Sequence, residues 1–133
     1  MRNVNTIAIL QGLFWAATGV WPMLHLPSFI WVTGPKKDIW LLYTVSVLIL
    51  VIGLVLLAAG FRKTVTHEIK WLGIGGALGL TAIDIIYSTR NVISDIYRYD
   101  AIAETGIILL WLWAGTRGMA KLKKSEFPDK PSR

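Results

Sequence analysis

One residue that could do chemistry stands out from its surroundings. Asp84 interrupts residues 71–89, an apolar run long enough to cross a membrane as a helix. A carboxylate at such depth is costly unless it is paired, neutral or facing a wet cavity, and it often marks a ligand or ion site. Thr81, Ser88 and Asn91 lie at spacings of three or four residues around it, so they share one helix face with Asp84. The pattern predicts a polar face on this helix.

Two other apolar runs carry polar groups at a similar depth. Glu104 lies near the start of the last run, and Thr18 lies six residues from the end of the first. At a rise of about 1.5 Å per residue, Asp84, Glu104 and Thr18 are roughly 7.5, 5 and 9 Å from the outer ends of their helices. We therefore expect an outward-opening pocket with these three residues on its floor. The predicted ligand-binding residues are Asp84, Glu104, Thr18 and Thr81, with Tyr87, Arg90, Arg98 and His25 at the mouth.

Such a pocket is compatible with three classes of function. The first is binding, and by extension transport, of a small polar or cationic solute, with Asp84 as the main anionic group. The second is a membrane-embedded enzyme that acts on a lipid-like substrate, in which Asp84 and Glu104 form an acid and base pair. The third is an accessory or structural subunit that uses the polar face as a docking surface. No nucleophile or cofactor motif accompanies the carboxylates, so binding ranks first.

A purely structural role for the carboxylates is the competing interpretation. An ion pair with Asp84 or Glu104 would fix the register of the helices without doing chemistry. The basic residues available near the outer helix ends are Lys36, Lys37, Arg90 and Arg98. Asp38 and Asp100 are interpreted as N-caps of the second and fourth helices.

The composition argues against a conventional metal or cofactor site. The chain has no cysteine and only two histidines, His25 and His67, so thiolate and multi-histidine metal sites are excluded within one chain. We therefore expect no metal and no cofactor.

Four apolar stretches predict the fold. They cover residues 6–24, 39–60, 71–89 and 101–118, each close to the length of about 20 residues that crosses a bilayer. The chain is 54% hydrophobic and its mean hydropathy is +0.54, as expected for spans joined by polar loops. The sequence predicts an all-α integral membrane bundle of four transmembrane helices within residues 1–120. Residues 121–133 are predicted to be a flexible, basic cytoplasmic tail.

The distribution of basic residues predicts the orientation and the partners. Of the 14 lysine and arginine residues, only Lys36, Lys37, Arg90 and Arg98 fall in the predicted outer loops. The positive-inside rule then places both termini in the cytoplasm of a multi-pass cell-membrane protein. The other basic residues lie beside apolar runs, where they suit anionic lipid head groups better than nucleic acid.

Small residues occupy another face of the third helix. Gly75 and Gly79 form a G-x-x-x-G pattern, which permits the close approach of a neighbouring helix. The pattern predicts helix packing on this face and makes a homo-oligomer through it a further expectation.

The general layout resembles that of small four-helix bacterial membrane proteins such as the DoxX-like group. This likeness is one of topology alone and implies no functional residues. The small multidrug resistance transporters have a similar size and helix count, but they carry an essential glutamate in the first span, which has no charge here.

Overall fold

The architecture consists of helices and connecting loops, without strands, in the part of the chain that is described. The computed structural model describes residues 2–90 and 93–126, with side chains for 3–90 and 93–116. The helices are α1 (Arg2–Leu24), α2 (Leu26–Thr33), α3 (Ile39–Phe61), α4 (His67–Thr89) and α5 (Ile96–Glu126). Within these described residues, three stretches are long and apolar enough to cross a membrane: Asn3–Leu24, Ile39–Phe61 and His67–Thr89. The all-α prediction is confirmed, and these stretches support the assignment to a membrane.

Helices α1 and α3 form an antiparallel pair whose backbones touch. A Cβ atom added to Gly12 would lie 2.7 Å from the Gly53 carbonyl oxygen, and one added to Gly19 would lie 2.6 Å from that of Ser46. Glycine at these positions lets the two backbones approach closely. Neither position therefore has room for a side chain. The contact positions recur every seven residues, as Gly12 and Gly19 on α1 and as Ser46, Gly53 and Gly60 on α3. We call this contact the α1–α3 seam.

Helices α4 and α5 form a second antiparallel pair, which α1 joins to the first. Gly73 of α4 lies against Trp111 of α5, where an added Cβ would be 3.0 Å from the indole nitrogen. Gln11 of α1 reaches the same level and donates a hydrogen bond of 2.9 Å to the Gly73 carbonyl oxygen. Gly76, one turn further along α4, packs against the Trp15 ring of α1. The middle of the bundle is therefore held by contacts among α1, α4 and α5.

The glycines that pack are not those of the predicted pattern. A Cβ added to Gly75 or Gly79 would meet no heavy atom within 4 Å among the described residues, so their face of α4 points away from the chain's own helices. Gly73 and Gly76 make the packing contacts instead. The direction of a helix face depends on which neighbours it packs against, and the spacing of glycines alone does not reveal this.

A short helix follows α1 where the sequence suggested only a loop. Helix α2 begins after His25, whose Nδ1 accepts a hydrogen bond from the Ser28 backbone N–H at 3.2 Å. It ends at Gly34, which has a φ of +91°, a backbone conformation that favours glycine. Asp38 occupies the N-cap position of α3, as predicted, but its side chain makes no capping hydrogen bond.

The last helix is longer at both ends than the predicted span of residues 101–118. Helix α5 begins at Ile96, so Asp100 lies inside the helix and is not its N-cap, which corrects the sequence interpretation. Glu104 consequently lies beyond the first turn. At the other end α5 continues to Glu126, into the segment predicted to be a flexible tail, and residues 127–133 lie outside the described residues. Charged residues near both ends lowered the hydropathy of segments that are nevertheless helical.

Candidate ligand-binding cavity

A large cavity separates the two helix pairs at one end of the bundle. Its volume is about 1080 Å³, and it lies between α1, α2 and α3 on one side and α4 and α5 on the other. Residues 34–38, which connect α2 to α3, and Ile93 and Ser94, which precede α5, line the same end. The short helix α2 contributes Phe29 and Thr33 to the wall.

Three carboxyl groups lie together in the wall formed by α4 and α5. Asp84 is 5% exposed and Glu104 is 1% exposed, and both line the cavity together with Asp100. The side chains of Asp84 and Asp100 are within hydrogen-bonding distance of each other, and Glu104 is close enough to interact electrostatically with both. Asp100 and Glu104, four residues apart, thus lie on the same face of α5, and both are close to Asp84 on α4.

The buried carboxyl groups are only partly satisfied. Glu104 Oε1 accepts a hydrogen bond of 2.6 Å from the indole Nε1–H of Trp15, which is itself buried. Glu104 Oε2 and Asp84 Oδ2 have no hydrogen-bond partner. Buried polar atoms are normally paired, and an unpaired one needs a specific explanation.

No basic side chain within the described residues neutralises these carboxyl groups. The one ion pair there joins Arg98 to Asp95 at 3.4 Å, and both side chains are exposed. Lys36 and Lys37 also line the cavity, but Lys36 Nζ donates to the Thr33 carbonyl oxygen at 3.1 Å. The Lys36 ammonium also lies 4.9 Å from the centre of the Tyr97 ring. Lys36 is therefore engaged with its own neighbours.

The residues predicted for the floor of the pocket line the cavity, whereas those predicted for its mouth do not. Asp84, Glu104 and Thr18 all line the cavity. The Thr18 hydroxyl donates to the Phe14 carbonyl oxygen at 2.7 Å, which leaves its oxygen free to accept. Thr81 has a buried hydroxyl without a partner, although it does not line the cavity.

The four residues predicted at the mouth do not line the cavity. His25 caps α2, and Arg98 is paired with Asp95. Tyr87 and Arg90 are exposed near the end of α4. The lining residues at this end include Lys36, Lys37, Asp38 and Ser94 instead.

Asp100 is the residue of the acidic group that the sequence interpretation missed. It was interpreted as a helix cap because the span was placed one residue after it. The spacing of four residues between Asp100 and Glu104 was the available signal, since residues four apart share a helix face. Tyr97, three residues before Asp100, belongs to the same face and also lines the cavity.

A second cluster of buried polar groups lies beyond the cavity, where α1, α4 and α5 pack together. Gln11 Oε1 accepts a hydrogen bond of 2.8 Å from the Trp111 indole N–H, while its amide nitrogen donates to Gly73. Gln11 is fully buried and Trp111 is 2% exposed. Ile7 and Ala8 pack against Trp111 in the same layer. We call Gln11, Gly73 and Trp111 the inner polar layer.

The carboxyl groups of the cavity do not form an evident metal site. No group of three or more histidine, aspartate or glutamate side chains in the described ranges, 3–90 and 93–116, is arranged to hold a metal ion. The cavity also has large apolar and aromatic walls, to which Phe14, Trp15 and Phe29 contribute. This combination suits an organic ligand better than a bare ion.

Comparison with known proteins adds no constraint on the function. No family model matches the chain, and neither a curated protein nor a solved structure is detectably similar to it.

Proposed function

We propose that this protein crosses the cell membrane four times and binds a small cationic solute in an outward-facing cavity around Asp84. The antiparallel pairs α1–α3 and α4–α5 support the alternating path of the chain, with α5 as the fourth span. The scarcity of lysine and arginine in the loops at the cavity end supports placing that end outside the cytoplasm. Both termini are then cytoplasmic, and the basic residues near them contact anionic lipid.

The observation that carries the binding proposal is that two buried carboxyl groups each keep one oxygen without a hydrogen-bond partner. Asp84 and Glu104 line the cavity, and neither is in an ion pair among the described residues. One oxygen of each, Asp84 Oδ2 and Glu104 Oε2, is buried and has no hydrogen-bond partner. Leaving such groups buried costs free energy, which a structural role would offset with a built-in arginine or lysine. A bound cation supplies the missing charge.

The cavity walls favour an organic cation. Its volume of about 1080 Å³ is at the upper end of the range of roughly 300–1,000 Å³ that is usual for small-molecule sites. Aromatic rings of Phe14, Trp15, Phe29 and Tyr97 line it. Aromatic faces attract ammonium groups, and this attraction strengthens where water is excluded. Carboxyl groups beside aromatic walls therefore match a substituted ammonium ion.

Transport requires a second conformation. The inner polar layer and its packed neighbours Ile7 and Ala8 close the bundle between the cavity and the cytoplasmic end. A solute bound at Asp84 can leave inward only if this layer separates. Binding is thus the function that the described conformation supports directly, and uptake or export into proteoliposomes tests the extension to transport.

Binding of radiolabelled tetraphenylphosphonium to the purified protein in lipid nanodiscs tests the proposal. We expect Asp84→Asn to raise the Kd by about 10- to 100-fold, which corresponds to roughly 1.4–2.7 kcal/mol. Asp95→Asn is the matched control, because Asp95 is an exposed carboxylate at the same end of the bundle and should leave the Kd unchanged. Equal affinities for wild type and Asp84→Asn would refute the proposal.

Single cysteines test the orientation, since the chain has no cysteine of its own. Lys37→Cys and Thr64→Cys place a thiol in exposed loops at opposite ends of the bundle. We expect a membrane-impermeant maleimide added to intact cells to label the first and to label the second only after permeabilisation. The reverse pattern would overturn the assignment of the cavity to the outer side.

A further inference from the structure

The cavity opens at the end of the bundle and also at its side, between α3 and α4. Helix α1 packs along α3, and α4 packs along α5, but α3 and α4 make few contacts with each other. Leu41 and Val45 of α3 and Ile83 of α4 line the cavity and yet are 47%, 42% and 51% exposed. A side chain that both lines a cavity and faces outward lies at a gap in its wall. We call Leu41, Val45 and Ile83 the α3–α4 opening.

With α3 and α4 crossing the membrane as proposed, the opening lies at the depth of the lipid chains. Val45 is six residues from the outer end of α3 and Ile83 is six from that of α4. Six residues correspond to roughly 9 Å along each helix, which places both side chains below the membrane surface. Ile83 is also the immediate neighbour of Asp84. The opening therefore lies beside the part of the cavity wall that carries a buried carboxyl group.

The two routes into the cavity differ in charge. Lys36 and Lys37 line the end that faces water, where Asp38 offsets only one of their two charges. A net positive rim slows a cation that approaches from solution. The α3–α4 opening, by contrast, consists of apolar side chains. It admits a molecule that is already dissolved in the bilayer.

We propose that the ligand is an amphiphilic cation, a substituted ammonium group on a hydrocarbon chain, which enters sideways from the outer leaflet through the α3–α4 opening. This inference rests on the proposed function and specifies its substrate class. The ammonium group sits against the carboxyl groups of Asp84 and Glu104. The hydrocarbon chain runs out between Val45 and Ile83 and stays in contact with lipid.

Photocrosslinking with a dodecyltrimethylammonium that carries a diazirine in mid-chain tests the route. With the protein in lipid nanodiscs, we expect labelling around Leu41, Val45 and Ile83, and competition by unmodified dodecyltrimethylammonium. Labelling confined to residues 34–38 or to Ile93 and Ser94 would overturn the sideways route.

A blocking variant with a matched control tests the same point by affinity. Val45→Trp fills the opening, whereas Val47→Trp adds the same bulk to a residue of α3 that is 46% exposed and does not line the cavity. We expect Val45→Trp to weaken binding of dodecyltrimethylammonium about tenfold, and Val47→Trp to leave it unchanged. Equal effects of the two substitutions would contradict the inference.

The outcome for Asp84→Asn and Glu104→Gln separates this inference from the proposed function. If either carboxamide variant abolishes competed labelling while Val45→Trp does not weaken binding, the cation site stands and the sideways route fails. If neither carboxamide substitution changes competed labelling or affinity, the proposed function itself fails. Tetramethylammonium, which lacks the chain, should compete at least tenfold less effectively than dodecyltrimethylammonium after correction for uptake into protein-free nanodiscs.

Discussion

The inner polar layer and the carboxyl groups of the cavity are two buried polar clusters on the same helices. They differ in how many of their polar atoms have hydrogen-bond partners. In the inner polar layer, the Gln11 amide uses both its nitrogen and its oxygen, and the Trp111 indole is paired. In the cavity, Trp15 pairs with one oxygen of Glu104, while the other oxygen and Asp84 Oδ2 have no partner. Both groups are built from α1, α4 and α5, so helix composition alone does not explain the difference.

The contrast separates a part of the molecule that stabilises from a part that binds. Away from the cavity, the bundle has the satisfied inner polar layer and the part of the α1–α3 seam around Gly12, Gly53 and Gly60, where the backbones touch. At the cavity end, α3 and α4 stay apart, and Asp84 and Glu104 each have one oxygen without a hydrogen-bond partner. Substitutions at the inner end should therefore change folding, and substitutions at the outer end should change binding.

The largest effect is expected at the α1–α3 seam. A Cβ at position 53 would lie 2.7 Å from the Ala16 backbone nitrogen, so Gly53→Leu must push the two helices apart. We expect the free energy of unfolding to fall by about 3 kcal/mol or more. Unfolding in mixed micelles measures this, with Gly79→Leu as the control because that position has open space around it. Similar losses for the two variants would show that the seam is not specially close-packed.

The inner polar layer should give the next largest effect. Gln11→Leu leaves the Trp111 N–H without its acceptor, and the free energy of unfolding should fall by about 1–2 kcal/mol. Tetraphenylphosphonium affinity should change by less than about twofold, since Gln11 does not line the cavity. A large loss of affinity with unchanged stability would reverse the assignment of the two polar groups.

Replacing the carboxyl groups of the cavity should not lower the free energy of unfolding, in contrast to Gln11→Leu. Glu104→Gln and Asp84→Asn each replace a buried acid group that has one oxygen without a hydrogen-bond partner, so the free energy of unfolding should stay the same or rise by up to about 1 kcal/mol. The same unfolding measurement decides this. A decrease as large as that of Gln11→Leu would indicate that the carboxyl groups stabilise the bundle and are not kept for a ligand.

The smallest effect is expected from the group that holds Glu104 in place. Trp15→Phe removes the hydrogen bond to Glu104 Oε1 and also the far edge of the indole that packs against Gly76. We expect tetraphenylphosphonium affinity to fall about threefold, as suits a single net hydrogen bond. Affinity equal to that of the wild type would mean that the orientation of Glu104 does not matter for binding.

The sequence predicted helix positions well where the hydropathy signal was uninterrupted. The second apolar run, residues 39–60, corresponds closely to α3 (Ile39–Phe61). Helix α2 was missed because it has only eight residues, with Pro27 at its second position and Gly34 directly after it, and both residue types are typical of turns. The outer end of α5 was missed because Arg98 and Asp100 make it polar.

The cavity was only partly predictable for a geometric reason. The fixed rise of a helix gives the distance of each residue from the helix end. This distance was enough to predict that Asp84, Glu104 and Thr18 lie at a similar level. Near the helix ends, the side that a residue faces depends on how the helices are rotated and paired. This is why His25, Tyr87, Arg90 and Arg98 were assigned to a mouth that they do not line. The seven-residue spacing of Gly12 and Gly19, and of Gly53 and Gly60, was a readable signal for the α1–α3 pair.

We propose that Asp84 and Glu104 each keep one oxygen without a hydrogen-bond partner because a ligand cation interacts with these carboxyl groups. Crystals grown in a lipid mesophase with tetraphenylarsonium test it directly, because anomalous scattering locates the arsenic atom. We expect an arsenic peak inside the cavity beside Asp84, Asp100 and Glu104. An empty cavity with Lys36 or Lys37 paired to Asp84, or a peak confined to the protein surface, would contradict it.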